Sequence, residues 1–137
     1  MTLRWRWRGI GGVVHTHSPY ATAWATAGRA IPCALTAMAD TFGGDIPCAP
    51  YSDNAGTNIV DSILRHRSRG PAILLERHGV FTFAATPDAA LKAAVMAEAA
   101  AHIVHLSAAI APVTAMPPAE IEKWWHRYQT EYGQKNQ

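Results

Sequence analysis

The feature that most constrains the fold is a short apolar strand that leads directly into a helix start near the N-terminus. Glycines followed by β-branched residues predict a buried strand over 10–17. The Ser-Pro pair that follows is typical of a helix N-terminus and Gly28 of a helix end, which predicts a helix over 19–27. Because side chains alternate along a strand, His15 and His17 are predicted to share one face, at the sheet edge where α/β proteins bind ligands.

The rest of the chain alternates between strand and helix patterns. Short apolar runs predict buried strands, and apolar residues at helical spacing predict helices. In chain order we predict a loop with a short strand over 31–50, a helix over 57–67, a strand over 72–75, a turn at His78-Gly79, a strand over 80–83, a long alanine-rich helix over 86–110 and a short helix over 119–128. This alternation predicts a layered α/β fold.

Composition restricts the class of protein. A chain of 137 residues is expected to form one domain. Its formal net charge of +2 depends on three arginines within residues 1–8, a segment predicted to be a lead-in outside the domain, and the rest of the chain is nearly balanced. We therefore expect no nucleic-acid or membrane partner, and no apolar run is expected to reach the length that spans a bilayer. Two cysteines without a signal peptide predict reduced thiols and a cytoplasmic protein.

Histidines are the residues that most directly indicate chemistry. His78 lies at the end of the second strongly apolar strand, so three imidazoles meet at one sheet edge if this strand neighbours the first. Three protein ligands with an open position are typical of a catalytic zinc site. The alternative is that His15 or His17 is a polar group hydrogen-bonded at a strand end. Four further histidines lie in predicted helices and are interpreted as solvated or core-edge residues: His66, His102, His105 and His126. Two of these, His102 and His105, are three residues apart, a spacing at which they could share a metal ion.

Acidic residues give weaker signals. Asp40 lies among apolar residues, where a carboxyl group can serve as a general acid or base. The alternative is a turn or cap aspartate before Gly43 and Gly44. Glu76, Arg77 and Glu98 are interpreted as surface or interface charges.

Several motifs, in the same order, resemble the class II aldolase/adducin family and, within it, sugar-phosphate 4-epimerases. The resemblance covers residues 9–134 and leaves 135–137 as a tail. The motifs are His15-Thr-His-Ser-Pro-Tyr-Ala-Thr-Ala-Trp-Ala, Thr36-Ala-Met-Ala-Asp40, Gly43-Gly-Asp-Ile-Pro-Cys48, His78-Gly-Val-Phe81, Lys92-Ala-Ala-Val-Met-Ala-Glu98 and Tyr132-Gly-Gln134.

The resemblance implies a fold, a cofactor and a reaction. The fold is an α/β/α sandwich with a central, mostly antiparallel sheet, and the assembly is a homotetramer. His15, His17 and His78 are the implied ligands of Zn²⁺ or another divalent transition metal. Asp40 and Tyr132 are the implied acid and base, with the tyrosine reaching into the neighbouring subunit. The implied reaction is that of an isomerase of pentose metabolism, such as arabinose catabolism: a pentulose 5-phosphate, L-ribulose 5-phosphate, is epimerised to D-xylulose 5-phosphate by retro-aldol cleavage and re-addition.

Departures from the family pattern define two alternatives. The family has a further part before the equivalent of Gly11, which supplies the phosphate-binding loop. We therefore expect an N-terminally truncated domain without phosphate-binding residues and with impaired activity.

Two single residues also depart from the family pattern. Met38 stands where histidine is common. Ala84 stands where glycine is usual, and alanine strains the chain if a positive φ is needed there. The alternatives are another class II sugar-phosphate aldolase, or a non-catalytic remnant or adducin-like interaction domain.

Overall fold

A computed structural model of the protein describes residues 9–131, so the predictions for 1–8, for Tyr132 and for the tail lie outside the described residues. The elements in chain order are β1 (Gly12–Thr16), α1 (Pro19–Thr26), α2 (Thr36–Phe42), β2 (Cys48–Ala49), α3 (Asn58–His66), β3 (Ala72–Leu75), β4 (Gly79–Ala84), α4 (Pro87–Ile110) and α5 (Pro118–Thr130). The predicted α/β class is confirmed.

The four strands form one sheet in the order β1-β4-β3-β2. β4 pairs antiparallel with β1 and with β3, whereas β2 and β3 are parallel, so the sheet is mixed and mostly antiparallel. In the β1–β4 pairing His15 lies opposite Phe81. The first predicted strand and the His78 strand are therefore neighbours, which is the condition on which the histidine cluster depends.

Helices cover both faces of the sheet. On one face, residues of α1, α2 and α4 pack with Leu74 and Val80, and partly buried residues of α5 join them. On the other face, Ile63 of α3 packs with Ile73 and Phe83. Adjacent residues of β3 and β4 thus belong to different cores, as the alternation of side chains along a strand requires. The result is the expected α/β/α sandwich.

Helix α4 lies close to the sheet because its inner face is almost entirely alanine. The Thr82 hydroxyl of β4 donates to the Ala90 carbonyl oxygen at 2.8 Å, and a Cβ at Gly12 would lie 2.4 Å from the backbone nitrogen of Pro87. The outer face of α4 exposes large apolar side chains: Leu91, Val95, Ile103, Leu106 and Ile110. By length and composition α4 is apolar enough to cross a membrane, so the prediction that no run reaches that length is wrong; helices that pack on a sheet pass the same test.

Three local predictions need correction. The segment 31–50 was expected to be loop and strand but contains α2, and Asp40 lies inside that helix. The turn before β4 spans 76–78, since the His78 amide donates to the Leu75 carbonyl oxygen at 3.0 Å. Ala84 lies in β4 without a positive φ, so the strain considered there does not arise.

Gly43 ends α2 in the left-handed region, at φ 64°, and its position allows a stability prediction. A Cβ there would lie 2.6 Å from Arg69 Nε and 2.7 Å from the Trp125 ring. Gly56 has a similar φ, +56°, but open space around it. We expect Gly56→Ala to lower the free energy of unfolding by about 1 kcal/mol and Gly43→Ala by about 2–4 kcal/mol. Urea denaturation followed by circular dichroism measures both, and equal losses would show that the contact at Gly43 is unimportant.

Candidate metal centre

Three histidine side chains meet where β1 ends and β4 begins. The ring centroid of His15 lies 4.8 Å from those of His17 and His78, and the centroids of His17 and His78 are 5.5 Å apart. Each residue offers one ring nitrogen such that these three atoms lie within 4.8 Å of one another. The strand pairing therefore brings together the three residues that the sequence singled out.

One ring nitrogen of His15 is held by the backbone of the neighbouring strand. Its Nδ1 lies 2.8 Å from the Val80 carbonyl oxygen. A carbonyl oxygen only accepts hydrogen bonds, so Nδ1 carries the proton and donates it. In the neutral ring this leaves a lone pair on Nε2, which is the usual way in which a backbone carbonyl prepares a histidine to bind a metal.

His78 is held by a tight and unusual turn. Arg77, immediately before it, has a φ of 58° and is the one non-glycine with positive φ among residues 9–131. Burial, together with the neighbouring His15 and His17, lowers the pKa of His78. The imidazole is therefore neutral at neutral pH, and the neutral form is the one that binds metal ions.

Gly79 allows the two strands to approach each other at the site. A Cβ at this position would lie 2.6 Å from the Thr16 carbonyl oxygen and 2.8 Å from His17 Cδ2. Any side chain would thus push β1, and the histidines on it, away from His78. The His-Gly pair in the sequence is explained by this contact.

The donor set fits a divalent transition metal. Around a tetrahedral zinc ion, nitrogen atoms at the usual bond length are about 3.3 Å apart, so the rings need small movements to close on an ion. His15 and His17 are exposed and His78 is partly buried. One side of the cluster is thus open, and a fourth position remains for water or substrate.

The structure does not bring Asp40 to the histidines within one chain. Asp40 lies in the last turn of α2, and the end of this helix contacts Gly70, which precedes β3. His78 follows the other end of β3, about 16 Å further along the strand direction. Phe42 of α2 also packs with Leu74 and Val80, on the sheet face opposite to Phe81 and the histidines. Asp40 is partly buried, and its carboxyl group forms no hydrogen bond or ion pair with any other of residues 9–131.

Glu98 has a role that the sequence interpretation missed. Its two carboxylate oxygens accept hydrogen bonds from the backbone amides of Tyr20 at 2.9 Å and Ala21 at 2.8 Å. These amides belong to the first turn of α1, where the predicted N-cap, Ser18, makes no side-chain capping bond. Glu98 therefore caps α1 from α4 and fixes the segment that follows His17; it is not a free surface charge. No local sequence pattern reveals this contact, because 77 or more residues separate the partners.

The remaining histidines stay outside the cluster. His66 Nδ1 bonds the Ser62 carbonyl oxygen, 2.9 Å away within α3. His102 stacks on the Tyr20 ring with centroids 3.8 Å apart, and His105 lies 5.9 Å from that ring. Within the described residues, the groups able to hold a metal do not include these helical histidines.

Fold and site together define an α/β sandwich protein with a three-imidazole centre at a sheet edge. The family profile of the class II aldolase and adducin N-terminal domain matches residues 6–105. The chain therefore belongs to the class II aldolase and adducin family.

Individual relatives agree with this assignment. The L-ribulose-5-phosphate 4-epimerases UlaF of Salmonella paratyphi B and Salmonella typhi are each 37% identical to this chain in an alignment 123 residues long. The match covers 82% of this chain and 54% of the relative. The chain thus spans about half the length of the curated relatives that it matches.

Solved structures show the same fold. An L-fuculose 1-phosphate aldolase aligns with a TM-score of 0.74 at 21% identity, covering 85% of this chain and 55% of the aldolase. The L-fuculose 1-phosphate aldolase of Glaciozyma antarctica PI12 aligns with a TM-score of 0.70 at 21% identity, covering 87% of this chain and 45% of that protein.

The capping role of Glu98 predicts a specific loss of stability. Glu98→Gln keeps the shape but removes the charge and one acceptor, so we expect the free energy of unfolding to fall by about 1–3 kcal/mol. Glu122→Gln is the matched control, because Glu122 pairs with Arg69 at the surface, where such bonds contribute little. Urea denaturation of both variants tests this expectation. A Glu98→Gln variant as stable as the control would contradict the capping role.

Proposed function

We propose that this chain carries the metal centre of an isomerase that epimerises L-ribulose 5-phosphate at C4, giving D-xylulose 5-phosphate. The observation that carries the proposal is the convergence of His15, His17 and His78 at the end of the β1–β4 pairing. The 37% identity to proteins named L-ribulose-5-phosphate 4-epimerase supports this choice of substrate.

The three histidines are assigned to Zn²⁺ or another divalent transition metal, because imidazole nitrogen suits these ions. When bound, such an ion supplies Lewis-acid stabilisation of the negative charge that develops on a substrate oxygen as the C3–C4 bond breaks. The chain places its three imidazoles on one side of the position that the ion would occupy. The exposed side of the cluster is left open for a pentulose 5-phosphate.

Inversion at C4 needs two proton-transfer groups on opposite faces of the cleaved bond. One group takes the C4 hydroxyl proton before cleavage, and the other returns a proton after re-addition on the other face. We assign these roles to Asp40 and Tyr132. Because Asp40 lies at the far end of β3 from its own histidines, we propose that it serves the histidines of a neighbouring copy in a homotetramer.

The two cysteines are assigned no part in this chemistry. Cys33 and Cys48 are both free thiols. Burial, with a smaller contribution from Asp45 near Cys33 and from Glu76 near Cys48, raises the pKa of each thiol to about 11. Both stay protonated at neutral pH, so they are poor nucleophiles and poor metal ligands. Free thiols also agree with the proposed cytoplasmic location.

Two other functions remain as alternatives. The structural similarity to L-fuculose 1-phosphate aldolases favours a sugar-phosphate aldolase, which would use the same centre for retro-aldol cleavage without inversion. The family also includes adducin, and an adducin-like interaction domain would not need the metal. Metal binding distinguishes the two enzymes from the interaction domain. The product formed distinguishes the epimerase from the aldolase.

Metal content is the first test of the proposal. We expect the purified chain to bind about one Zn²⁺, and His78→Ala to lose it, because two imidazoles hold the ion far more weakly than three. His66→Ala is the matched control, since His66 lies on α3 outside the cluster, and it should bind as the wild type does. Inductively coupled plasma mass spectrometry after dialysis gives the stoichiometry. A wild-type chain without bound metal would contradict the proposed centre.

The shared site predicts rescue between two inactive variants. Asp40→Asn is expected to lower kcat by about 10²–10⁴-fold while metal content is unchanged, and His78→Ala to abolish activity. If the two variants are unfolded, mixed in equal amounts and refolded together, about a quarter of the sites combine intact histidines with an intact Asp40. We expect chelator-sensitive formation of D-xylulose 5-phosphate to return to that fraction of the wild-type rate.

Three results would change this assignment. Mixed variants without rescue would place Asp40 outside the active site or in its own chain's site. Release of dihydroxyacetone phosphate and glycolaldehyde without the epimer would favour the aldolase. A metal-loaded wild-type chain that reacts with neither L-ribulose 5-phosphate nor D-xylulose 5-phosphate would favour the non-catalytic domain. Asp88→Asn, in the first turn of α4, is the control for loss of a carboxylate.

A further inference from the structure

Phe81 contacts two members of the histidine cluster. Its ring is stacked on that of His15, with centroids 4.1 Å apart and an angle of 19° between the planes. It also meets the ring of His78 edge-on, at 5.8 Å and 90°. An aromatic side chain thus stands beside the cluster, on the same face of the sheet.

The position of Phe81 is itself fixed by the fold. It lies in β4, directly opposite His15 in the strand pairing. Its side chain packs on the core that includes Ile63 of α3 and Ile73, Leu75 and Phe83 of the sheet. The ring is therefore held by buried residues of this core, while it also contacts the two imidazoles.

This contact restrains a motion that the hydrogen bond of His15 leaves free. The bond from Nδ1 to the Val80 carbonyl oxygen fixes the position of one ring atom but still permits the ring to tilt about that contact. A stacked aromatic face opposes the tilt and holds the imidazole plane, and with it Nε2, in one orientation. When the ligands of a metal site are already oriented, their side chains lose less conformational freedom on binding the ion. The affinity for the ion is therefore higher.

We propose that Phe81 is a positioning residue of the metal centre, which holds the rings of His15 and His78 in the orientation that binds the ion. The inference rests on the proposed function, because it assumes that the cluster binds a metal. It goes beyond the three ligands, since Phe81 has no atom that coordinates an ion.

The test compares Phe81→Leu with Phe83→Leu in the full 137-residue chain. Both substitutions remove a ring from the same strand and the same core. Within residues 9–131, the ring contacts of the three histidines include Phe81 but not Phe83. Co²⁺ is titrated into each protein, because its d–d absorption reports both affinity and ligand geometry. We expect Phe81→Leu to weaken Co²⁺ binding about tenfold or more and to alter the d–d bands. Phe83→Leu should lower the Tm yet bind Co²⁺ as the wild type does.

Phe81→Tyr provides the conservative variant. It keeps the aromatic face, at a position that is only partly buried. We expect it to retain wild-type affinity and bands. If Phe81→Leu and Phe83→Leu weaken binding equally, or if Phe81→Leu binds normally, Phe81 has no positioning role and the inference is overturned, while the metal centre itself stands.

A second measurement separates this failure from failure of the proposed function. In the metal-free chain the ring current of Phe81 should shift the carbon-bound proton signals of His15 upfield in the NMR spectrum, and Phe81→Leu should remove that shift. A wild-type spectrum without the shift contradicts the stack whatever the metal does. The shift without any Co²⁺ binding contradicts the proposed metal centre and, with it, the role of Phe81.

Discussion

The antiparallel pairing of β1 with β4 is the constraint on which the site depends. In the observed register Thr16 lies opposite Val80, so β1 ends beside the turn that presents His78. A shift of the pairing by one residue would turn the side chains of His15 and His17 to the face covered by α4. These two histidines would then no longer lie next to His78. The close approach of Gly79 to Thr16 permits this register. The centre is therefore a product of strand pairing as much as of its three histidines.

The apolar core holds that register in place. All four residues of β3 are buried, and fully burying a side chain such as Ile73 or Leu74 contributes about 1.5–3 kcal/mol. The alanine face of α4 lies close to the sheet, and Glu98 on the same helix fixes the start of α1. Stability thus comes from the middle of the sheet and from α4. The edge of the sheet can therefore carry exposed, polar histidines, whose own packing contributes little to the stability of the fold.

Sequence reasoning succeeded where the pattern was local. The strand over 72–75, the long helix and its Thr86 cap, and the shared face of His15 and His17 all follow from alternation, helical spacing and capping. It failed at α2, a seven-residue helix whose N-cap, Leu35, has no capping side chain. It also failed for Glu98 and could not find the stack of Phe81 on His15. These contacts join residues distant in the chain, and nothing local marks them.

The location of Asp40 shows why fold and function have to be argued separately. The resemblance to the family makes Asp40 a catalytic candidate, yet a whole strand and the thickness of the sheet separate it from the histidines of its own chain. Rotation of an aspartate side chain reaches only a few ångströms, and the helix that carries Asp40 is packed into the core through Met38, Ala39 and Phe42. No local rearrangement can close the gap. If Asp40 transfers a proton at a metal-bound sugar, a second copy of the chain has to bring it there, and assembly then becomes a requirement of the chemistry.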